Sequence, residues 1–241
     1  MTSPPQHCAL ITGASRGIGR ATALTFAQAG INLILVGRSA QELETVADLA
    51  KQFGVQVSAH CLDLADLPQV KSAIANLCDR HGPIDVLVNN AGMGYTNTLD
   101  ETALGDWQRV IDVNLTSVLL CVQGALPTLR RCETSTIINI SSIAASNAFP
   151  QWGCYSVSKA GLVALSKTLA VEERSQGVRV TLVTPGATNS SIWDTETVQA
   201  DFDRSQMLAP ETIAQSILHV ALAPKGSVIE ELVLTPSAGA L

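Results

Sequence analysis

Tyr155 and Lys159 are four residues apart, so on a helix their side chains share one face. An ammonium about 5 Å from a phenol favours the phenolate by about 3 kcal/mol at an effective dielectric near 20, roughly two pK units off a reference near 10. That brings a tyrosine toward proton transfer near neutral pH. The same spacing also occurs in ordinary surface helix pairs, so other groups must converge on it. Ser142 stands just past an apolar run, thirteen residues before Tyr155, and Asn114 lies further upstream. A second chemistry is written in Thr12-Gly13-Ala14-Ser15-Arg16-Gly17-Ile18-Gly19, which follows one apolar run and opens a helical pattern. Gly13 allows a tight turn, Gly17 lets backbone approach a pyrophosphate, and Gly19 lets the helix pack on the strand. The helix N-terminus adds free N–H groups for the phosphates. The spacing is GxxxGxG rather than the commoner GxGxxG. Asn89-Asn90-Ala91-Gly92 closes another apolar run, with two amides to tie loop ends and two small residues to admit a ligand.

These groups need a scaffold, and the chain spells one. Runs rich in Val, Ile and Leu recur at Cys8–Thr12, Asn32–Val36, Val55–Cys61, Ile84–Asn89, Thr136–Ser141, Val178–Thr184 and Glu231–Leu234. Most are almost wholly apolar, as strands covered on both faces must be. Six segments with helical spacing lie between them, several ended by glycines such as Gly30, Gly54, Gly82 and Gly177. Alternation of this kind predicts an α/β, doubly wound parallel sheet of about seven strands with helices on both faces. No Pro-rich or Gly/Ser-rich linker interrupts it, so residues 1–241 are expected to form a single domain. The irregular stretch between Pro185 and Pro210, about 25 residues long, is expected to carry a lid at about 187–208. Its anchors would be Ile192, Trp193, Phe202, Met207 and Leu208.

Composition narrows the class. Apolar residues make up 46% of the 241 and charged residues 15%, a balance that rules out disorder. The net charge of −6 argues against a broad grip on nucleic acid or anionic membrane. No run approaches 18 uninterrupted apolar residues, so no membrane-spanning helix is expected. The N-terminus shows no basic, apolar leader, and the six cysteines form no CxxC pair. Together these predict a cytoplasmic protein with free thiols. His7, His60, His81 and His219 have no ligand spacing, so no metal is expected.

Taken together, these elements resemble the short-chain dehydrogenase/reductase family. The matching pieces are TGASRGIG at 12–19, NNAG at 89–92, Asn114, Ser142, Tyr155-Ser156-Val157-Ser158-Lys159 and Pro185-Gly186, in the family's order over nearly the whole chain. The resemblance implies a Rossmann-type nucleotide-binding fold, a nicotinamide cofactor and hydride transfer at a CH–OH/C=O group. It implies Tyr155 as general acid or base and Ser142 as the group that orients the substrate oxygen. Ser141 competes for that role, and Ser142 is preferred because its separation from Tyr155 matches the family pattern. Lys159 would hold the nicotinamide ribose and depress the Tyr155 pKa. Asn114 would hold a water that links Lys159 to solvent. Cofactor contacts are implied for Gly13, Ser15, Arg16, Gly17, Ile18, Gly19, Arg38, Ser39, Asp63, Leu64, Asn90, Ala91, Gly92, Tyr155, Lys159, Pro185, Gly186 and Thr188. Asp63 would meet the adenine amino group unless it is only a strand-end turn residue.

The cofactor expected is NADP(H). An NAD-binding chain usually carries an acid at the end of the second strand for the ribose 2′-OH. Here that place reads Val36-Gly37-Arg38-Ser39, and Arg38 and Arg16 could clamp a 2′-phosphate. The substrate expected is a ketone, β-keto ester or thioester, reduced in a cleft walled by Met93, Tyr95, Ala144, Phe149, Trp152 and the lid. An acyl-carrier or coenzyme A thioester is one form, though only Arg130, Arg131 and Arg174 suggest a basic dock. Oxidation of a small β-hydroxy acid is the main rival, and a silent NADP-binding regulator is the reading from another class. A homotetramer is expected, paired through helices at about Leu104–Arg130 and Tyr155–Ser175 and at the open edge of Glu231–Leu234, with a dimer as the fallback. The second helix carries an apolar band, Leu162, Val163, Leu165, Ser166, Leu169 and Ala170, with small Ala160, Gly161 and Ala164 permitting close approach.

Overall fold

A computed structural model describes residues 7–200 and 203–239. Seven strands form one sheet: β1 (Cys8–Thr12), β2 (Asn32–Gly37), β3 (Val57–Cys61), β4 (Val86–Asn89), β5 (Ser135–Ile140), β6 (Val178–Pro185) and β7 (Glu231–Leu234). Their order is β3-β2-β1-β4-β5-β6-β7, and every pairing is parallel. The doubly wound α/β architecture expected from the alternation is the one found. Val55 and Ile84 fall outside their strands, yet both are buried, because the chain is already under the core before ladder pairing starts.

The expectation that strands are covered on both faces fails at the two edges. β3 is half-buried and ends on exposed Cys61, and β7 alternates between exposed and half-buried residues. Each has a ladder partner on one side only, so outward groups meet solvent.

Seven α-helices, rather than six, occur among the described residues: α1 (Gly17–Gln28), α2 (Ala40–Lys51), α3 (Leu67–His81), α4 (Leu104–Ile111), α5 (Ser117–Leu129), α6 (Gly153–Glu173) and α7 (Pro210–Ala221). The extra helix arises because a π turn at Asp112–Thr116 divides one rod into α4 and α5. On one face of the sheet, Phe26 of α1, Leu43 and Val46 of α2 and Ile213 and Ile217 of α7 bury against Ile11, Leu33 and Leu35. On the other, Ile74 of α3, Val118 and Val122 of α5 and Leu162 and Leu169 of α6 bury against Leu10, Ile34 and Leu87.

The rod Leu104–Leu129 runs unbroken through α4, the π turn and α5. Its most apolar stretch has a mean hydropathy of 1.5, so by length and composition it could cross a membrane, contrary to the expectation from uninterrupted runs. Here Cys121, Ala125 and Leu129 of that rod pack against α3 and the sheet as a core helix does. Its end is tied to α6, where the Arg130 guanidinium donates to both carboxylate oxygens of buried Glu173. Of the band expected on α6, Leu162, Ser166 and Leu169 are buried within the chain and Val163, Leu165 and Ala170 are half-buried; the exposed residues are small Ala160 and Ala164 together with Val157 and Val171, which lay outside that band.

Candidate active site

The strand order reverses between β1 and β4, and the chain leaves these two strands toward opposite faces. Such a switch point opens a crevice at the carboxyl ends of the strands. A cavity of about 880 Å³ occupies it, within the range of roughly 300–1,000 Å³ typical of cofactor and substrate sites.

The glycine loop forms its floor. Gly13 has φ +64°, and a Cβ there would stand 2.8 Å from the Ala91 Cα. A Cβ on Gly19 would stand 2.2 Å from the Gly13 carbonyl oxygen, so only glycine lets α1 approach the turn. The Asn90 Nδ2 donates to the carbonyls of Thr12 at 3.0 Å and Gly13 at 3.1 Å. The Thr12 Oγ1 accepts from the N–H groups of Asn90 and Ala91, each at 3.1 Å. The two loops are thus laced together beneath the cavity. α1 starts without a side-chain cap, which leaves its first N–H groups for an anion. A cradle of this shape, with no room for side chains where backbone approaches, fits a dinucleotide.

Gly13, Ser15, Arg16, Gly17, Ile18, Arg38, Ser39, Asp63, Leu64, Asn90, Ala91, Gly92, Pro185, Gly186 and Thr188 all line the cavity. Gly19 does not; it lies behind the loop, as the close approach to the Gly13 carbonyl requires. The Ser39 hydroxyl is engaged as the N-cap of α2, accepting from the Glu42 N–H at 3.3 Å. Glu42 itself lines the cavity, so a carboxylate one turn into α2 joins Arg16 and Arg38 in the lining although the end of β2 carries none. The Asp63 carboxylate accepts from the Ala65 N–H at 3.0 Å, a turn bond made while it faces the cavity.

At the other end stand Ser142, Tyr155 and Lys159, all in the lining. The first turn of α6 buries Tyr155, and the Ser142 hydroxyl, which accepts from the Ala144 N–H at 3.1 Å, lines the cavity with its phenol. The Lys159 Nζ donates to the Ile140 carbonyl at 2.9 Å and lies 5.7 Å from the Tyr155 ring centroid. The neighbouring Ser141 hydroxyl turns away, toward the Lys159 carbonyl at 3.5 Å. Burial pushes the Tyr155 phenol up to about 12, and the Ser142 hydroxyl draws it part of the way back. Burial brings Lys159 down to about 8. The acidified phenol expected from helix spacing is therefore not found in the protein alone. Spacing shows the ammonium but not the loss of water around both groups.

Asn114 is fully buried in the π turn and outside the cavity lining. Its Oδ1 accepts from the Met93 N–H at 2.8 Å, and its Nδ2 donates to the Met93 carbonyl at 2.9 Å and to the Ser158 Oγ at 3.0 Å. The side chain expected to hold a water also pins the 92–93 loop beside Lys159. Tyr95 is also misplaced by the sequence reading: it is buried against Val110 and Cys154, with its hydroxyl donating to Asp106 at 3.2 Å. Met93, Ala144, Phe149 and Trp152 do line the cavity. So do Arg109 and Val113 of the α4 rod, which motif reading had not singled out.

The segment after β6 runs over this end. The Trp193 ring stacks edge-on against Trp152 at 5.6 Å, and Trp152 stacks edge-on against Tyr155 at 5.3 Å. The Thr197 Oγ1 donates to the Gly94 carbonyl at 2.7 Å. Phe202 lies outside the described residues; buried Val198 supplies an apolar anchor that sequence reading overlooked. Among the described residues no three His, Cys, Asp or Glu side chains gather as metal ligands do. Burial pushes the Cys154 thiol up to about 11, which fits a packing role next to Tyr155.

A family model described as short chain dehydrogenase matches residues 7–201. A sepiapterin reductase from Chlorobaculum tepidum is 33% identical over 97% of this chain and 98% of its own. A 3-oxoacyl-(acyl-carrier-protein) reductase from Staphylococcus aureus is 38% identical over 86% of this chain and 83% of its own. Among solved structures, an alcohol dehydrogenase from the archaeon Thermococcus sibiricus, complexed with 5-hydroxy-NADP, superposes with a TM-score of 0.89 at 31% identity, covering 98% of this chain and 99% of that one. The chain belongs to the short-chain dehydrogenase/reductase family and is an oxidoreductase, as its motifs led one to expect.

Proposed function

We propose that the protein is an NADPH-dependent reductase that turns a ketone, β-keto ester or thioester into a secondary alcohol. The observation that carries this reading is the buried Tyr155 phenol, lining one glycine-floored cleft with Ser142 and with the Lys159 ammonium 5.7 Å from its ring. The dinucleotide, when bound, supplies the hydride. Ser142 orients the carbonyl oxygen, and Tyr155 gives it a proton in reduction or takes one in oxidation. Lys159 binds the ribose and favours the phenolate by its charge. Asn114 holds the loop that positions Lys159. Arg16 and Arg38 would bind the 2′-phosphate, offset only in part by Glu42, because exposed charges are screened. Residues 187–208 act as the lid.

Of the three arginines that could dock an acidic carrier protein, Arg130 is committed to Glu173, and Arg174 lies 3.8 Å from Glu230. That favours a small-molecule substrate or a coenzyme A ester over a carrier-bound one. Oxidation of a β-hydroxy acid would use the same residues in reverse. A silent regulator has no need of the Ser142–Tyr155–Lys159 set. We further propose a cytoplasmic homotetramer.

The test is a steady-state screen of ketones, acetoacetyl thioesters and hydroxy acids with both cofactors. NADPH should exceed NADH by at least about tenfold in kcat/KM, about 1.4 kcal/mol, and Arg38→Ala should erode the preference through weaker NADPH binding. Tyr155→Phe should abolish turnover and leave NADPH binding nearly intact. Equal use of both cofactors would reject the cofactor assignment, and near-normal activity of Tyr155→Phe would reject the mechanism.

A further inference from the structure

Arg109 has no part in the scheme above. It stands exposed on α4 and lines the cavity, and among the described residues its guanidinium has no hydrogen-bond or ion-pair partner. Val113, four residues on, lines the same cavity, so one face of the rod fronts the cleft. The opposite side is spoken for: Trp107 and Val110 pack with Tyr95 and Cys154. The next residue after Val113 is Asn114, whose carboxamide lies beside Gly92 and Lys159 at the reacting end. At 1.5 Å of rise per residue, Arg109 starts about 7.5 Å along the axis from Asn114. A long arginine side chain can cover much of that distance. Met93, Phe149 and Trp152 give the same cavity an apolar lining.

The cavity lining holds other charges besides Arg109. Asp194 is paired with Arg204, with one contact at 2.6 Å. Lys159 is buried against the Ile140 carbonyl. Glu196 is an exposed carboxylate in the segment over the cleft. A guanidinium presents a rigid fork of donors that matches a carboxylate in two parallel bonds. A cleft that combines a proton donor, an apolar lining and an unpaired guanidinium suits a molecule with a carbonyl and a carboxylate a few bonds apart.

We propose that Arg109 binds the carboxylate of the substrate, and that the substrate class is a short keto acid with its hydroxy acid as product. The inference rests on the reductase reading and adds to it which carbonyl compound the cleft selects. The balance is unchanged: hydride and proton add to the keto carbon and oxygen, and the carboxylate is untouched.

The experiment compares a series of short keto acids with their neutral methyl esters, using the native enzyme, Arg109→Gln, Arg109→Lys and Glu196→Gln. Arg109→Gln should raise KM for the keto acids about tenfold or more, the loss of one charge-assisted pair, with kcat little changed. KM for the esters should hold, and Arg109→Lys should recover part of the loss. Quenching of Trp152 and Trp193 fluorescence by the acids, with NADP⁺ present, reads the same affinity without turnover. If nothing is turned over, the reductase reading fails, while that titration still decides whether Arg109 holds a carboxylate. Three results overturn the proposal: no preference for acids over esters, an equal KM rise for both in Arg109→Gln, or a Glu196→Gln variant that behaves like Arg109→Gln. The last would mark an Arg109–Glu196 latch instead.

Discussion

Burial holds both ionisable groups of the site toward their neutral forms, Tyr155 up to about 12 and Lys159 down to about 8. An anionic dinucleotide beside Lys159 would favour the ammonium. Above pH 8 the free protein carries a largely neutral lysine, so NADPH binding should take up a proton there, and affinity should fall as pH rises past about 8. Calorimetry in buffers of different ionisation heat measures the uptake. Lys159→Met should abolish it, and a native enzyme with pH-independent affinity from 7 to 9.5 would contradict it. The same group then draws Tyr155 back toward useful acidity, because a cation opposes the desolvation that raises the phenol.

At the scale of elements, the edge strand β3 is tied to the end of α3 by a histidine pair. The Nε2 atoms of His60 and His81 are 3.1 Å apart. Burial first, then the neighbouring His81 and Arg80, lowers the His60 pKa below its ordinary 6.5. The unfolded chain therefore takes up a proton before the folded one does as pH falls. The His60 contribution is present above about 6.5 and is lost as pH falls from there through the lower folded value. Thermal melts should show Tm dropping between about pH 7 and 5.5, and the drop should be shallower in His60→Gln. An identical pH slope in the two proteins would show that the pair contributes nothing. The consequence reaches the site, because β3 ends beside Asp63 and Leu64 in the cavity lining.

At the scale of the whole molecule, the rod, α6 and the open edge each carry exposed apolar surface. Leu119 on α5 and Val157, Ala160, Ala164 and Val171 on α6 are exposed, and Val233 on β7 is 58% exposed. Residues 157, 160, 164 and 171 fall at helical spacing on one face, with two small side chains that permit close approach. An open edge strand is a further liability that a second subunit removes. Light scattering at micromolar concentration should give the mass of four chains, and Ala164→Arg should lower it without loss of helical circular dichroism. A single-chain mass for the native protein would reject the assembly. Closed symmetric pairing of this kind uses the same patch on each subunit.

What the sequence by itself determined was whatever follows from local spacing. Parallel strands buried on two faces must be apolar throughout, so β1, β2, β4, β5 and β6 were visible as runs. The turn at Gly13 and the i, i+4 placing of Tyr155 and Lys159 are likewise local geometry, and the family resemblance rests on the same short motifs. Only the tertiary structure decided the rest. Whether a helix residue faces the cleft depends on the phase of the helix against its neighbours, and a π turn at Asp112–Thr116 resets that phase within the rod. So Arg109 and Val113 reach the cavity, while Asn114 turns behind the 92–93 loop and Tyr95 goes into the core. The acidity of Tyr155 was beyond spacing for a related reason: it depends on how much water the fold removes, and burial is a property of every element that packs around the group.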